Sequence, residues 1–89
     1  MQKANIPKYK VLIKKKAEKF LEKLSEPNYS SVKSAIISLS FDARPFGYKK
    51  LVSKDVYRIR VGDYRIIYEI FDDIVTIEVI NIGHRKNVY

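Results

Sequence analysis

The chain reads as an α+β domain: a short N-terminal strand, two helices, then a three-stranded antiparallel meander, the helices lying on one face of a twisted antiparallel sheet. Three features predict this. KKKAEKFLEKLSEP carries Ala17, Phe20, Leu21 and Leu24 at the i, i+3, i+4, i+7 spacing of a one-sided helix. A second stripe, Val32, Ala35, Ile36 and Leu39, follows Pro27. Three strand-like runs then close the chain. One domain spanning residues 1–89 is expected.

In order along the chain, Tyr9 to Ile13 is the early strand, with Tyr9, Val11 and Ile13 on one face. It is expected to join the same sheet as the later strands. Lysines and glutamates cover the outer side of the first helix, which Pro27 ends. Asn28 or Ser30 is the start of the second helix, both being good N-caps. FDARPFGYKKL breaks the pattern, and Pro45 and Gly47 mark it as a loop. The meander is expected at about Val56–Val61, Tyr64–Ile70 and Ile74–Asn81, with turns at Gly62-Asp63 and Asp72-Asp73.

A two-residue turn at Gly62-Asp63 fixes the register. Val61 then lies opposite Tyr64, Arg60 opposite Arg65, Ile59 opposite Ile66, Arg58 opposite Ile67, and Tyr57 opposite Tyr68. Tyr57, Ile59, Val61, Tyr64, Ile66, Tyr68 and Ile70 share one face. Arg58, Arg60, Arg65 and Glu69 share the other. A turn at Asp72-Asp73 adds Val75, Ile77 and Val79 to the apolar face and Thr76 and Glu78 to the polar one. The sheet is then two-sided, with the arginines on an open surface. Like charges directly opposite each other cost a sheet about 0.2–1 kcal/mol. Either an anion sits between Arg60 and Arg65, as arginine's planar fork suits phosphate oxygens, or Glu69 and Glu78 neutralise them.

Composition narrows the function classes. The formal net charge is +8, from 18 Lys+Arg against 10 Asp+Glu. Such a field favours nucleic acid, an acidic protein segment or a membrane surface, and composition does not choose among these or a basic surface without a charged ligand. Cysteine is absent and His84 is the single histidine, which excludes disulfides, thiolate metal sites and multi-histidine sites. No metal site and no cofactor is expected. MQKANIPKYK has no apolar core of signal-peptide length, and no run approaches the ~20 apolar residues of a membrane span. Cytoplasmic location is therefore expected. The tail NIGHRKNVY brings His84, Arg85 and Tyr89 close in sequence, Gly83 being placed to release the chain from the sheet beside its polar face.

DARPFGYKKL, VYRIRVGDYRIIYEI and IGHRKNVY together resemble the RelE/ParE toxin superfamily over nearly the whole chain, and its RelE branch more than its ParE branch. The resemblance implies the toxin of a type II toxin–antitoxin pair. It implies a ribosome-dependent endoribonuclease that cuts messenger RNA in the ribosomal A site, without a metal, and so inhibits translation. It implies a RelB-like cognate antitoxin that wraps the toxin as an extended segment, in a heterotetramer, with ribosome and mRNA as further partners and no membrane. By position, Arg58, Arg60 and Arg65 match family basic residues of the hairpin, and Lys50 matches one before it. These are the RNA-binding candidates. Arg65, His84, Arg85 and Tyr89 are the catalytic candidates.

In metal-free cleavage the 2′-hydroxyl attacks the adjacent phosphorus and the 5′-oxygen leaves. The reaction needs a base, an acid and stabilisation of charge on the phosphoryl oxygens. Arg65 and Arg85 suit the last role. Some relatives carry lysines where this chain has Arg58 and Arg60, and arginine does not readily give up a proton. Proton transfer then falls to His84 or Tyr89, or is dispensed with in favour of orientation and electrostatics. The interval from Arg85 to Tyr89 is shorter than in some relatives. Two rival readings stand: a ParE-like gyrase inhibitor, and a non-catalytic basic module that binds RNA or an acidic protein.

Overall fold

A computed structural model of the protein describes residues 6–51 and 55–84. The elements run β1 (Lys10–Ile13), α1 (Lys15–Glu22), α2 (Asn28–Ser38), β2 (Lys49–Lys50), β3 (Val56–Val61), β4 (Tyr64–Phe71), a 3₁₀ turn (Asp72–Ile74) and β5 (Thr76–His84). The five strands form one sheet in the order β1-β5-β4-β3-β2. The α+β expectation holds. The sheet is mostly antiparallel, but β1 pairs with β5 in parallel.

The helices cover one face. Ala17 and Leu21 of α1, Val32 and Ile36 of α2, and Leu39 just beyond it are buried against Ile59, Ile66, Tyr68, Ile70, Ile77 and Val79 of the sheet. Each fully buried aliphatic side chain contributes about 1.5–3 kcal/mol. Tyr9 is buried, Val11 and Ile13 are partly buried against the same core, and Leu12 points the other way and is exposed. The first helix stops at Glu22, earlier than Pro27 suggested. The amides of Lys23 and Leu24 donate to the carbonyls of Phe20 and Leu21, a tightened final turn that satisfies the end of the helix before the proline is reached.

The first hairpin has the expected register throughout, from Val61 opposite Tyr64 to Val56 opposite Glu69. Gly62 supplies the one positive φ of its turn, at 59°, the arrangement of a type II′ turn. The second connection differs from the expected Asp72-Asp73 turn. A 3₁₀ turn over Asp72–Ile74 is followed by Val75 in the left-handed region, φ 50° and ψ 49°. Ile74 and Val75 are thereby exposed, and Val75 is outside the strand and the apolar face. Phe71 pairs with Thr76 and Ile70 with Ile77, a slip of two residues from the expected register. A two-residue slip keeps every side chain on its face. So Ile77 and Val79 remain in the core, and Glu78 stays on the far side, now opposite Glu69.

Two further departures lie at the sheet's margins. Lys49–Lys50, expected in a loop, adds a two-residue edge strand to β3. Gly83 does not release the chain: it lies within β5, opposite Arg65. Between Val79, which pairs with Tyr68, and Asn81, which pairs with Ile67, one extra residue bulges out of register.

Candidate nucleic-acid interface

The face of the sheet away from the helices is built from rows of paired residues, because partners across a ladder share a side. Arg60, Arg65 and Gly83 form the row nearest the Gly62-Asp63 turn. Lys49, Arg58, Ile67 and Asn81 form the next. Val56, Glu69, Glu78 and Leu12 form the third. Charge is thus segregated along the strands. The two arginines face each other at the hairpin end, and the two glutamates face each other at the other end. Glycine at position 83 puts no side chain beside Arg65.

The face is not uniformly open, as the sequence suggested. Arg60 is exposed and Arg65 half-buried, while Arg58 and Ile67 in the middle row are buried. Arg60 and Arg65 therefore carry the accessible guanidinium charge.

The bulge in β5 decides where His84 goes. Simple alternation from Glu78 would put residue 84 among the arginines. One inserted residue reverses every later side chain. Ile82 turns into the core, and His84 lies opposite Tyr64 on the helix side. The His84 and Tyr64 rings meet edge to face at 5.6 Å, and Tyr64 meets Phe20 of α1 at 6.2 Å. The structure therefore joins Arg60 and Arg65 but sets His84 on the opposite side of the sheet from them. Arg85 and Tyr89 lie outside the described residues.

Lys50 is opposite Tyr57 in register, with its Nζ 6.0 Å from that ring's centroid. Its neighbour Lys49 is the residue placed with Arg58 in the basic rows. Sequence reasoning passed over Lys49 because Pro45 and Gly47 hide the short strand that orients it.

A second polar cluster ties the helix-side loop to the strand ends. Arg44 Nη2 donates to Asp72 Oδ2 at 3.0 Å and to the Tyr57 hydroxyl at 3.2 Å, and its guanidinium lies 5.1 Å from the Tyr57 ring centroid. The Tyr9 hydroxyl donates to Asp72 Oδ1 at 2.6 Å. The Arg44 hydrogen bond, and then that of Tyr9, hold the Asp72 carboxyl below its ordinary value. The hydrogen bond to Asp72 raises Tyr9 in turn. Tyr68, raised chiefly by burial, donates its hydroxyl to the Ala43 carbonyl at 2.8 Å. These bonds are fully used within the fold, so this cluster serves as an anchor. Among the described residues, no three His, Asp or Glu gather as a metal site would require. No helix among them is long and apolar enough to cross a membrane.

Known proteins share this fold. Residues 6–89 match the family model described as the ParE toxin of the type II toxin–antitoxin system parDE. No curated protein matches the chain in sequence. Among solved structures, the archaeal RelE–RelB complex from Pyrococcus horikoshii OT3 contains a chain 29% identical, with TM-score 0.81, over 91% of this chain and 99% of that one. The toxin–antitoxin complex RelBE2 from Mycobacterium tuberculosis matches at 27% identity and TM-score 0.73, over 90% and 100%. The RelB–RelE complex from Methanococcus jannaschii matches at 29% and 0.69, over 88% and 94%.

Proposed function

The chain belongs to the ParE toxin family of type II toxin–antitoxin systems, and from that premise we propose that it is a RelE-like endoribonuclease that cuts messenger RNA in the ribosomal A site. The feature that carries this reading is the row Arg60–Arg65–Gly83. Arg60 and Arg65 stand opposite each other in register at the hairpin end of the sheet, beside Gly83, which precedes His84-Arg85 in the sequence. A phosphodiester between them relieves their repulsion and receives charge-assisted hydrogen bonds on both non-bridging oxygens.

In the proposed reaction the 2′-hydroxyl gives up its proton and attacks phosphorus. The 5′-oxygen leaves and takes up a proton. Arg65, with Arg85, stabilises the charge that grows on the phosphoryl oxygens. Arg60 and Lys49 hold the RNA backbone, while Arg58, being buried, and Lys50, which lies over the Tyr57 ring, stand outside this contact, and a tyrosine ring offers a splayed base a platform. His84 faces Tyr64 and away from Arg65. Proton transfer therefore falls to Tyr89, or is replaced by orientation and charge stabilisation. The protein works in the cytoplasm, where the ribosome supplies the rest of the site and an antitoxin of RelB type restrains it in a heterotetramer.

Primer extension on messenger RNA from a translating extract tests this. A-site cuts are expected with the active chain. Arg65→Ala and Arg85→Ala are each expected to lower cleavage by about 10²-fold or more, and His84→Ala by no more than severalfold. Absence of cuts with a chain that still arrests growth overturns the reading. The match to a ParE family model favours gyrase inhibition as the second reading. Gyrase-dependent DNA breaks in cells whose messages stay intact would select it.

A further inference from the structure

Phe46 is the most exposed large apolar side chain among the described residues, wholly in solvent at 107% relative exposure. The backbone holds it there. The Tyr48 amide donates to the Pro45 carbonyl at 3.0 Å, closing a tight turn, and Gly47 supplies the positive φ, 91°, that such a turn needs after Phe46. A ring fixed outside the core contributes little to folding.

Beside the ring lies a shallow groove of about 320 Å³ between α2 and β3, lined by Ala35, Ser38, Ile59, Arg60 and Val61. That is near the lower end of small-ligand pockets, roughly 300–1,000 Å³, with room for one ring system. Its apolar side is Ala35, Ile59 and Val61. Its polar side is the edge of β3. Backbone groups alternate in direction along a strand. The Leu51 amide donates to the Val56 carbonyl on the side of β3 away from β4, so the N–H and C=O of Arg60 face that side as well. The strand β2 reaches only as far as Arg58, and among the described residues no strand stands opposite Arg60. A donor and an acceptor therefore border the groove.

Arg60 also joins the groove to the basic row, since it lines the one and stands opposite Arg65 in the other. The ligand that fits every part carries an anion, then a flat aromatic body with a polar edge. A nucleotide of single-stranded RNA has that order: its phosphate, then a base with two apolar faces and a rim of donors and acceptors.

We infer that the Phe46 groove is a subsite for one unstacked base of the RNA whose phosphate lies at Arg60 and Arg65, an assignment that rests on the endoribonuclease reading above. The base stacks on Phe46, and its edge bonds to the N–H and C=O of Arg60. Phe46 is then a specificity-determining residue: by capturing one base of the codon it sets which phosphodiester reaches Arg65.

The test uses the full chain and ribosomes programmed with a defined message whose A-site codon is intact or lacks the base at each position in turn. With the parent chain, one of the abasic codons is expected to be cut about tenfold more slowly than the intact codon. Phe46→Ser is expected to cut the intact codon about tenfold more slowly and to lose no further rate at that abasic position, while Phe46→Tyr keeps most of the parent rate. Phe46 is solvent-exposed, so its replacement leaves the fold intact, and circular dichroism verifies both variants. Equal cutting of all the codons by the parent chain, or an abasic loss that is unchanged in Phe46→Ser, overturns the base subsite and leaves the endoribonuclease reading standing. A parent chain that cuts none of the codons overturns both.

Discussion

Arg60 and Arg65 face each other on adjacent strands, and like charges placed directly opposite each other weaken a sheet. Arg60→Glu converts the pair to opposite charges and is expected to raise the stability of the free protein by about 0.2–1 kcal/mol at low salt. Urea midpoints with and without added salt check this, and the same variant should lose message cleavage. Asp72 gives the complementary case. Its carboxyl is held below the ordinary 3.8 by Arg44 and Tyr9. A lowered folded value means that the contribution is present above the unfolded value and disappears as pH falls through the folded one. Asp72→Asn is therefore expected to lower the urea midpoint at pH 7 and to converge with the parent chain well below pH 3.8. A difference that persists unchanged in acid would contradict this. The Arg60–Arg65 pairing was legible in the sequence because a Gly-Asp turn between two alternating runs allows one register. The side on which His84 falls was not, since a bulge leaves no local mark in a run as uniformly branched as TIEVINI.

Among the elements, β3 and β4 are specified by their own alternation and by Gly62. The β4–β5 connection answers to a different constraint. The depth of Ile70, Ile77, Tyr68 and Val79 in the core fixes their pairing, and the turn accommodates what is left over. That leftover is Val75, a β-branched residue in the left-handed region, where an L-residue loses roughly 1–2 kcal/mol. Its amide and carbonyl hold Asp72 and Lys10, which keeps it there. Val75→Asn is expected to raise stability by about 0.5–1 kcal/mol, read as a rise in thermal midpoint. The sequence suggested a two-residue turn at Asp72-Asp73 because those residues favour turns, and tertiary pairing moved it. Likewise β2 is a strand by virtue of its neighbour rather than its own residues, two lysines with little strand preference.

For the molecule as a whole, β5 is the interior strand that joins the N-terminal edge strand to the rest of the sheet. β5 lies between β1 and β4 and buries Ile77, Val79 and Ile82. Ile77→Ala is expected to cost about 2–5 kcal/mol, a large share of what so small a domain possesses, and its denaturation midpoint should show a near-complete loss of the folded state. The basic field, by contrast, lies on the surface and leaves this core untouched, so folding and polyanion binding can be varied separately. The two helix stripes and the three alternating strand runs were enough to foresee the layered plan. The parallel seating of β1 on β5 depends on contacts between the two ends of the chain, which no local pattern records.

That seating has a consequence for synthesis. A chain still attached to its ribosome has made β1, both helices and the first hairpin before the strand that joins β1 to β4 has emerged. Contacts this distant in sequence form late and slowly. A nascent copy therefore lacks a finished sheet until β5 has emerged.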